Sequence, residues 1–312
     1  MAMDAPLCEV SIIIVSWNVR QHLQRCLQAL PAAAVGIDYE VIVVDNASED
    51  GTAAVVCEEF PMVRLVANEA NVLYTAAANQ GLMRARCRMQ LLLNPDVIPH
   101  PGSIARLVRY AEAHPEAGLL GPRIVDALGR VDWRTGRDFP TPWSEFVDWS
   151  GLGRWLQLPI FVKNRRLDYD RNQTSSVALL SGACLLFPAH LPASLRRLDS
   201  KYPMYGEDID LCRRIRHAGL QCVLVAQAEM THIGGASSQQ TPAFAATKAV
   251  SAMNRYFREW DGDIAARWHR LLMGWIALGK VLVFCLPSVV SRRLRGACAT
   301  YWAIAHWAIF DA

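Results

Sequence analysis

Four polar clusters in this 312-residue chain carry the side chains that could do chemistry. Asp45 leads Asp45-Asn46-Ala47-Ser48, directly after the apolar run Val41 to Val44. A carboxylate at such a strand end can accept the N3–H of uracil or thymine, and Asn46 and Ser48 can bond a ribose; the same residues also make an ordinary turn into a following helix. Asn94-Pro95-Asp96 closes Gln90 to Leu93 in the same way. A hard divalent cation held by Asp96 and by diphosphate oxygens would stabilise charge growing on a leaving phosphate, although Asn-Pro-Asp is turn chemistry too. Glu207-Asp208-Ile209-Asp210 opens a helical segment. A base that takes a proton from an acceptor hydroxyl must be ionised, and a helix N-terminus favours the ionised carboxylate. Asp208 is therefore the candidate base, with Glu207 in support and Asp210 answering Arg213 and Arg214. His232, ahead of Gly234 and Gly235, becomes a second metal ligand only if the fold sets it beside Asp96.

These clusters need elements that end at one place. Val10 to Val15 and Tyr39 to Val44 are short β-branched runs, the pattern of strands buried on both faces. Between them Leu23, Leu27 and Leu30 repeat at helical spacing and the pattern stops at Pro31. The alternation continues with Glu49 to Glu59 helical, Met62 to Val66 extended, Val72 to Arg86 helical, Met89 to Leu93 extended and Pro101 to His114 helical. This rhythm predicts an α/β fold: a Rossmann-like, mostly parallel central sheet flanked by helices, with ligands at the carboxyl ends of the strands. Arg123 to Trp133 reads as a hairpin around Ala127-Leu128-Gly129, and Arg134 to Thr174 as a long irregular stretch. Trp143, Trp149 and Trp155 punctuate it, either as sugar-stacking faces or as packing residues. Ser176 to Phe187 reads as extended, Glu207 to His217 as a helix stopped near Gly219, and Gln221 to Ala226 as a strand.

With 52% hydrophobic and 20% charged residues and a formal net charge of +3, the chain is expected to be globular; disorder is excluded and no nucleic-acid partner is expected. Its nine cysteines are scattered and never form a CxxC pair, which suits a reducing compartment better than a disulfide framework. Met1 to Glu9 lacks the basic start and apolar run of a signal peptide, so a cytoplasmic location is expected. From Ile264 to Phe310 there is no Asp or Glu, while Arg267, Arg270, Lys280, Arg292, Arg293 and Arg295 are present. A boundary near Asp261 then separates a catalytic domain, 1–260, from a C-terminal amphipathic helical region, 261–312. Leu271 to Leu286 is apolar but about sixteen residues long with Lys280 inside, short of the roughly 20 needed to span a bilayer. Trp268, Trp275, Trp302 and Trp307 suit an interfacial position on the inner face of the cell membrane, with an anionic surface as partner; the alternative is a helical subdomain packed on the catalytic core or on a second subunit.

The ordered motifs VSIIIVSWN at Val10 to Asn18, VIVVDNASEDGT at Val41 to Thr52, NVLYTAAANQG at Asn71 to Gly81 and LLLNPD at Leu91 to Asp96 resemble glycosyltransferase family 2 with the GT-A fold. SGACLL at Ser181 to Leu186, MYGEDIDLCRRIRHAG at Met204 to Gly219 and THIGGASS at Thr231 to Ser238 extend the resemblance, which is nearest to the bacterial rhamnosyltransferase-like branch. It implies that Ser16, Trp17, Asn18, Asp45, Asn46, Ser48, Asn71, Asn79 and Asn94 line the nucleotide-sugar site. It further implies that Asp96 and His232 bind Mg2+ or Mn2+, and that Asp208 is the base. Leu73 departs from the pattern, since relatives commonly have Gly there, and Ala78 replaces a frequent Asn.

The implied reaction is inverting transfer of a sugar, rhamnose from dTDP-rhamnose being the best reading, from a dTDP- or UDP-sugar to a hydroxyl of a polyprenyl-linked or cell-envelope glycan. One base and one metal, without a second nucleophile, require inversion. A homo-oligomer is left open. The alternatives are a sugar nucleotidyltransferase, which would normally show a glycine-rich basic loop where Ser16-Trp17-Asn18-Val19-Arg20 stands, and a non-catalytic nucleotide-sugar-binding subunit.

Overall fold

The computed structural model describes residues 8–152, 170–234, 240–285 and 291–310. The chain divides into two compact units, one of Met1–Arg137, Asp168–Pro203 and Glu207–Ser237, the other of Asp138–Leu167, Met204–Gly206 and Ser238–Ala312.

The first unit is built on a nine-stranded sheet. Strands β1 (Val10–Ser16), β2 (Tyr39–Asp45) and β4 (Met89–Leu93) are nearly continuous buried runs, as strands covered on both faces must be. With β3 (Arg64–Ala67) they pair in parallel in the order β3-β2-β1-β4. Beyond β4 the order runs β8 (Cys184–Phe187), β6 (Ala117–Val125), β9 (Gln221–His232) and β5 (Val97–Pro99), while β7 (Ser175–Val177) also pairs with β9. β6 and β9 are parallel; β8, β5 and β7 run antiparallel to their neighbours. The expected α/β fold, with a largely parallel sheet flanked by helices, is the one found.

Alternation along β1 divides the two faces. Val10, Ile12 and Ile14 join a core with Leu23, Leu27 and Leu30 of α1 (Arg20–Ala33) and Ile104, Leu107 and Val108 of α4 (Ser103–Ala113). Ile13 points the other way, at α3 (Tyr74–Arg84), where a Cβ on Gly81 would stand 2.3 Å from the Ile13 Cγ2. Gly81 therefore sets how closely α3 can lie on the sheet. The remaining helices of this unit are α2 (Thr52–Glu59) and α6 (Glu207–His217), the latter followed by Gly219 at φ +79°.

Several boundaries differ from the sequence reading. Helix α1 runs through Pro31 to Ala33, because a proline in the last turn removes only one late backbone bond, and Ala34 N–H still closes on the Leu30 carbonyl. Helix α3 starts at Tyr74 because Leu73 has φ 66° and ψ 171°. The hairpin after β6 is present, with Asp126 N–H bonded to the Arg130 carbonyl at 2.8 Å. Within the stretch read as irregular lies α5 (Pro142–Ser150), started by a Thr141–Ser144 capping box and ended by Gly151 at φ 85°. Residues 153–169, with Trp155, lie outside the described residues, as do Gly235 to Ser238 of the THIGGASS motif.

The cysteine reading needs correction: Cys8 and Cys87, 79 residues apart, are joined by a disulfide. Pairing of β1 with β4 puts them side by side, since Met89 N–H bonds the Glu9 carbonyl and Arg88 N–H the Cys8 carbonyl. The other seven cysteines are free.

The second unit is helical. Helices α5, α7 (Pro242–Asp261), α8 (Asp263–Cys285) and α9 (Arg292–Phe310) gather around Val250, Met273, Ala277, Ile304, Ala305 and Trp307, with Phe146 and Trp149 packed against them. Trp149 thus belongs to packing, whereas Trp143 is 43% exposed and stacks on Phe146. Asp261, where composition changes, is the last residue of α7 and lies inside this unit. Helix α8 is 23 residues long rather than about sixteen, so length and composition alone would let it cross a membrane. Lys280 does not break it, because its ammonium donates to the Trp149 carbonyl at 2.7 Å and the Tyr301 hydroxyl at 2.9 Å.

Candidate active site

The parallel register brings the ends of β1, β2 and β4 together: Ser16 pairs with Asp45, Ile14 with Leu93, and Asn46 N–H bonds the Ser16 carbonyl. Asp45 is 3% exposed. Its Oδ2 accepts from Ser48 N–H at 3.1 Å, while Oδ1 is sealed from solvent with no hydrogen-bond partner among the described residues. The Ser16 hydroxyl is in the same position. Leaving a buried acceptor unpaired is costly, roughly 1–3 kcal/mol, so Asp45 Oδ1 is suited to a donor supplied by a ligand.

Around it the turn is fixed by side chains. Ser48 Oγ accepts from Asn18 N–H at 2.9 Å and Asn18 Oδ1 accepts from Glu49 N–H at 2.7 Å, which holds Asn18 and Ala47 at positive φ. Asn46 was expected at a ribose. Its amide instead donates to Asn71 Oδ1 at 2.8 Å, and its carbonyl oxygen accepts from Asn68 Nδ2 and Val72 N–H. Asn71 also accepts from Leu73 N–H, so Asn46 and Asn71 serve to shape the loop that enters α3. Asn79 was expected at the nucleotide as well; both ends of its amide bond the Leu198 backbone, at 2.9 and 3.0 Å, and hold that segment against α3. Trp17 is half-buried at the end of β1.

Asn94 N–H bonds the Ala183 carbonyl, and three residues on, β5 turns back to pair with β9 so that Val97 faces His232. His232 Nε2 lies 3.2 Å from Asp96 Oδ1, and Ile233 N–H bonds the Asp96 carbonyl. The sequence condition on His232 is met. Two ligand atoms on adjacent positions of a hexacoordinate Mg2+ or Mn2+ sit about 3 Å apart, given bonds of about 2.1 Å. The pair therefore fits such an ion, with remaining positions for diphosphate oxygens.

Asp208 joins this region through Gly182, whose N–H donates to Asp208 Oδ2 at 3.1 Å; Ile209 N–H donates to Oδ1 at 2.9 Å. A Cβ on Gly182 would come within 3.0 to 3.2 Å of the Asp208 side chain, which explains a glycine there. Glu207 Oε2 is cut off from solvent with no hydrogen-bond partner among the described residues, although the residue as a whole keeps some exposure. The helix N-terminus was expected to keep Asp208 ionised, and burial works against that at both carboxyls. Burial, and then the charge of Asp208, raise the Glu207 pKa to about 8. Burial also raises that of Asp208, opposed by the Arg137 charge and the N–H groups of Ile209 and Gly182. The Arg137 charge and the two N–H groups favour the ionised form at Asp208, whereas Glu207 Oε2 has no such partner among the described residues. Asp210 lies apart from this pair and binds Arg214 at 2.7 Å.

Two residues escaped the sequence reading. Arg137, at the end of the first unit, supplies the positive charge felt by Asp208, and its guanidinium lies 5.5 Å from the Trp133 ring centroid. Tyr74 has its phenol pushed well above the usual range by burial and by the charges of Glu207 and Asp208. It lies inside the Asn71 to Gly81 motif, the one signal that could have singled it out. Thr75 ties this end of α3 to the carbonyls of Tyr202 and Pro203, just ahead of α6.

A sheet of this topology, with polar groups at the ends of β1, β2 and β4 and a carboxylate at the start of α6, is the architecture of GT-A glycosyltransferases. Residues 6–259 match the family described as Glycosyltransferase like family 2, and the chain belongs to that family. It is 30% identical over 282 residues to the N-acetylglucosaminyl-diphospho-decaprenol L-rhamnosyltransferase of Mycobacterium tuberculosis, covering 86% of this chain and 89% of that protein. It is 27% identical over 229 residues to the O-antigen biosynthesis protein RfbC of Myxococcus xanthus, covering 72% of this chain but 17% of that one. In fold it is similar to the mannosyltransferase PcManGT from Pyrobaculum calidifontis, solved with GDP-Man and Mn2+ (TM-score 0.57, 15% identity, 98% of this chain and 89% of that chain). GalNAc-T7, solved with UDP, GalNAc and Mn2+, is similar at a TM-score of 0.55 and 16% identity over 82% of this chain and 49% of that chain.

Proposed function

We propose that this family 2 glycosyltransferase transfers a sugar, with inversion, from a thymidine or uridine diphosphate donor to a hydroxyl of a lipid-linked glycan. L-Rhamnose is the sugar suggested by the mycobacterial relative. The observation that carries the reading is the Asp96–His232 pair at 3.2 Å, beside a strand end where Asp45 keeps an unsatisfied acceptor. Asp45 Oδ1 would accept the pyrimidine N3–H. Asp96 and His232 would hold Mg2+ or Mn2+, which when bound neutralises charge on the departing diphosphate. Asp208, whose ionised form Arg137 favours, takes the acceptor hydroxyl proton as the hydroxyl oxygen attacks the anomeric carbon opposite the leaving group. Neutral Glu207 beside it limits repulsion of the donor's phosphates. The test is a panel of nucleotide sugars with and without chelator. Slow release of a nucleoside diphosphate, stopped by chelator and restored by Mg2+ or Mn2+, is expected. Asp96→Ala should weaken the diphosphate donor by about 10–100-fold while sparing the free nucleoside. Full turnover in chelator, or pyrophosphate exchange instead of release, would overturn the reading.

We also propose that α8 lies flat on the inner membrane face. Ala266, His269, Met273 and Ala277 bury one side of it in the helical unit. Ile264, Trp268, Leu271, Trp275, Leu278 and Leu282, spaced alternately by four and three, form an opposite stripe that is 42% to 78% exposed. A spanning helix would have to leave the neighbours that hold Lys280 and the buried side, whereas a flat helix keeps them and still removes the stripe from water. The full chain should sediment with anionic vesicles and be released by alkaline carbonate. Trp275→Glu with Leu282→Glu should cut vesicle binding tenfold or more, and equal binding by this variant would break the proposal.

A further inference from the structure

The helical unit contains a polar cavity, of about 330 Å³, that the proposed transfer reaction does not use. Lys248, Ser251, Arg255 and Arg258 line it from α7, together with Asn254 and with Trp307 from α9. The first four follow at i, i+3, i+7 and i+10, so at about 100° per residue they stand on one face of the helix. Three cations thus converge on one groove that has no carboxylate among its lining residues. Their partners do not neutralise them. Arg255 makes no ion pair among the described residues, Lys248 only approaches the Phe244 ring at 5.4 Å, and Arg258 reaches Asp263 at 3.8 Å from an exposed position.

The floor is rigid. Asn254 is 6% exposed and donates to the Ala266 carbonyl at 2.6 Å. Trp307, also 6% exposed, meets His269 edge-on and is covered by Arg270 at 5.9 Å. A fixed wall, two guanidinium forks, an ammonium and a serine hydroxyl form a donor set without acceptor charge. That set selects a phosphate over a cationic or neutral ligand, because guanidinium geometry matches phosphate oxygens in pairs. The volume lies near the low end of small-ligand sites, about 300–1,000 Å³.

We propose that this groove binds the phosphate of an amphiphilic phosphate ester, namely the diphosphate linker of a polyprenyl-linked acceptor or the headgroup phosphate of an anionic lipid. The choice between those sources rests on the lipid-linked acceptor proposed above; the phosphate site itself rests only on the groove. The test uses the full chain in chelator, which removes metal-dependent donor binding. Three probes are compared: inorganic pyrophosphate by calorimetry, phosphatidylcholine vesicles containing phosphatidylglycerol, and phosphatidylcholine vesicles containing a polyprenyl diphosphate. Wild type should bind pyrophosphate, and Lys248→Glu with Arg255→Glu should weaken it tenfold or more at an unchanged melting temperature. The neutral pair Lys248→Ala with Arg255→Ala serves if charge reversal unfolds the unit. Preference of wild type for the polyprenyl diphosphate vesicles assigns the groove to the acceptor, and preference for phosphatidylglycerol assigns it to the membrane surface; both support the site. Absence of pyrophosphate binding by wild type, or equal binding by both charge variants, overturns it. Failure of sugar transfer with pyrophosphate binding intact would sink the catalytic reading and leave the groove standing.

Discussion

The two units place their misfit groups in opposite ways. In the sheet unit the misfits are polar and buried: Asp45 Oδ1, Ser16 Oγ and Glu207 Oε2 have no hydrogen-bond partner among the described residues where solvent cannot reach. In the helical unit the larger misfit is apolar and exposed, with Trp275 at 77% and Leu282 at 78%, beside one sealed unpaired atom among the described residues, His269 Nε2. Each arrangement costs stability in the free protein and each is relieved by a different kind of partner. A dry polar site awaits a small, charged, hydrogen-bonding ligand, whereas a wet apolar stripe awaits an extended apolar surface. The transfer to a lipid-linked acceptor proposed above would call for both.

The strongest way to break this comparison is to remove the proposed base. Asp208→Asn should lower turnover by about 10²–10⁴-fold, the range for a general base, while donor affinity stays within a few-fold. The single amide oxygen can keep one of the two N–H bonds, from Gly182 or Ile209, so the melting temperature is read beside turnover to separate loss of the loop from loss of the base. Donor hydrolysis and transfer assays read both quantities. Turnover near wild type would move the base elsewhere, with Glu207 first, and would leave the buried carboxyl pair as a structural feature only.

Glu207 sharpens the comparison through pH. Its folded pKa, about 8, lies above its unfolded value near 4.5, so between these limits the folded state holds a proton that the unfolded state has released. Its contribution is fully present below pH 4.5 and is lost as pH rises toward 8. Glu207→Gln has no such loss. In the free protein the variant should match wild type near pH 4.5 and exceed it near pH 8.5 by on the order of 1–3 kcal/mol, read from urea unfolding at the two values. Parallel stabilities across that range would mean that the carboxyl is better solvated than its surroundings indicate.

How far the sequence disclosed this follows from where each signal resides. β1 and β2 were legible because strands covered on both faces must be unbroken apolar runs, and their ends named Asp45 without further information. The Asp96–His232 pair was legible only as a condition, since 136 residues separate the two and the pairing of β5 with β9 decides it. Arg137 was not legible: its effect on Asp208 depends on burial, which lowers the local dielectric and appears nowhere in the order of residues. Helix α5 was hidden because its start is a capping box around Thr141 and Ser144 rather than an apolar repeat. Cys8 and Cys87 were misread for the same reason as the metal pair, because strand pairing and not spacing brings them together.

The smallest expected effect concerns Leu73, where relatives commonly carry Gly. Its φ of 66° with ψ of 171° is a conformation that L side chains rarely adopt, costing roughly 1–3 kcal/mol. The surrounding bonds impose it: Asn71 Oδ1 holds Leu73 N–H at 2.9 Å, and the Leu73 carbonyl must receive Ala77 N–H to start α3. Leu73→Gly removes the strain, but glycine loses about 0.5–1 kcal/mol more chain entropy on folding. The half-buried leucine also surrenders some apolar contact, on the order of 1 kcal/mol. These terms nearly cancel, so the variant should melt within a few degrees of wild type and bind uridine or thymidine diphosphate within a few-fold. Leu73→Val keeps the strain, adds β-branching at the same φ, and should melt clearly lower. If the glycine variant fell as far as the valine one, side-chain packing rather than backbone strain would govern the entry to α3, and Leu73 would count among the groups that shape the donor pocket.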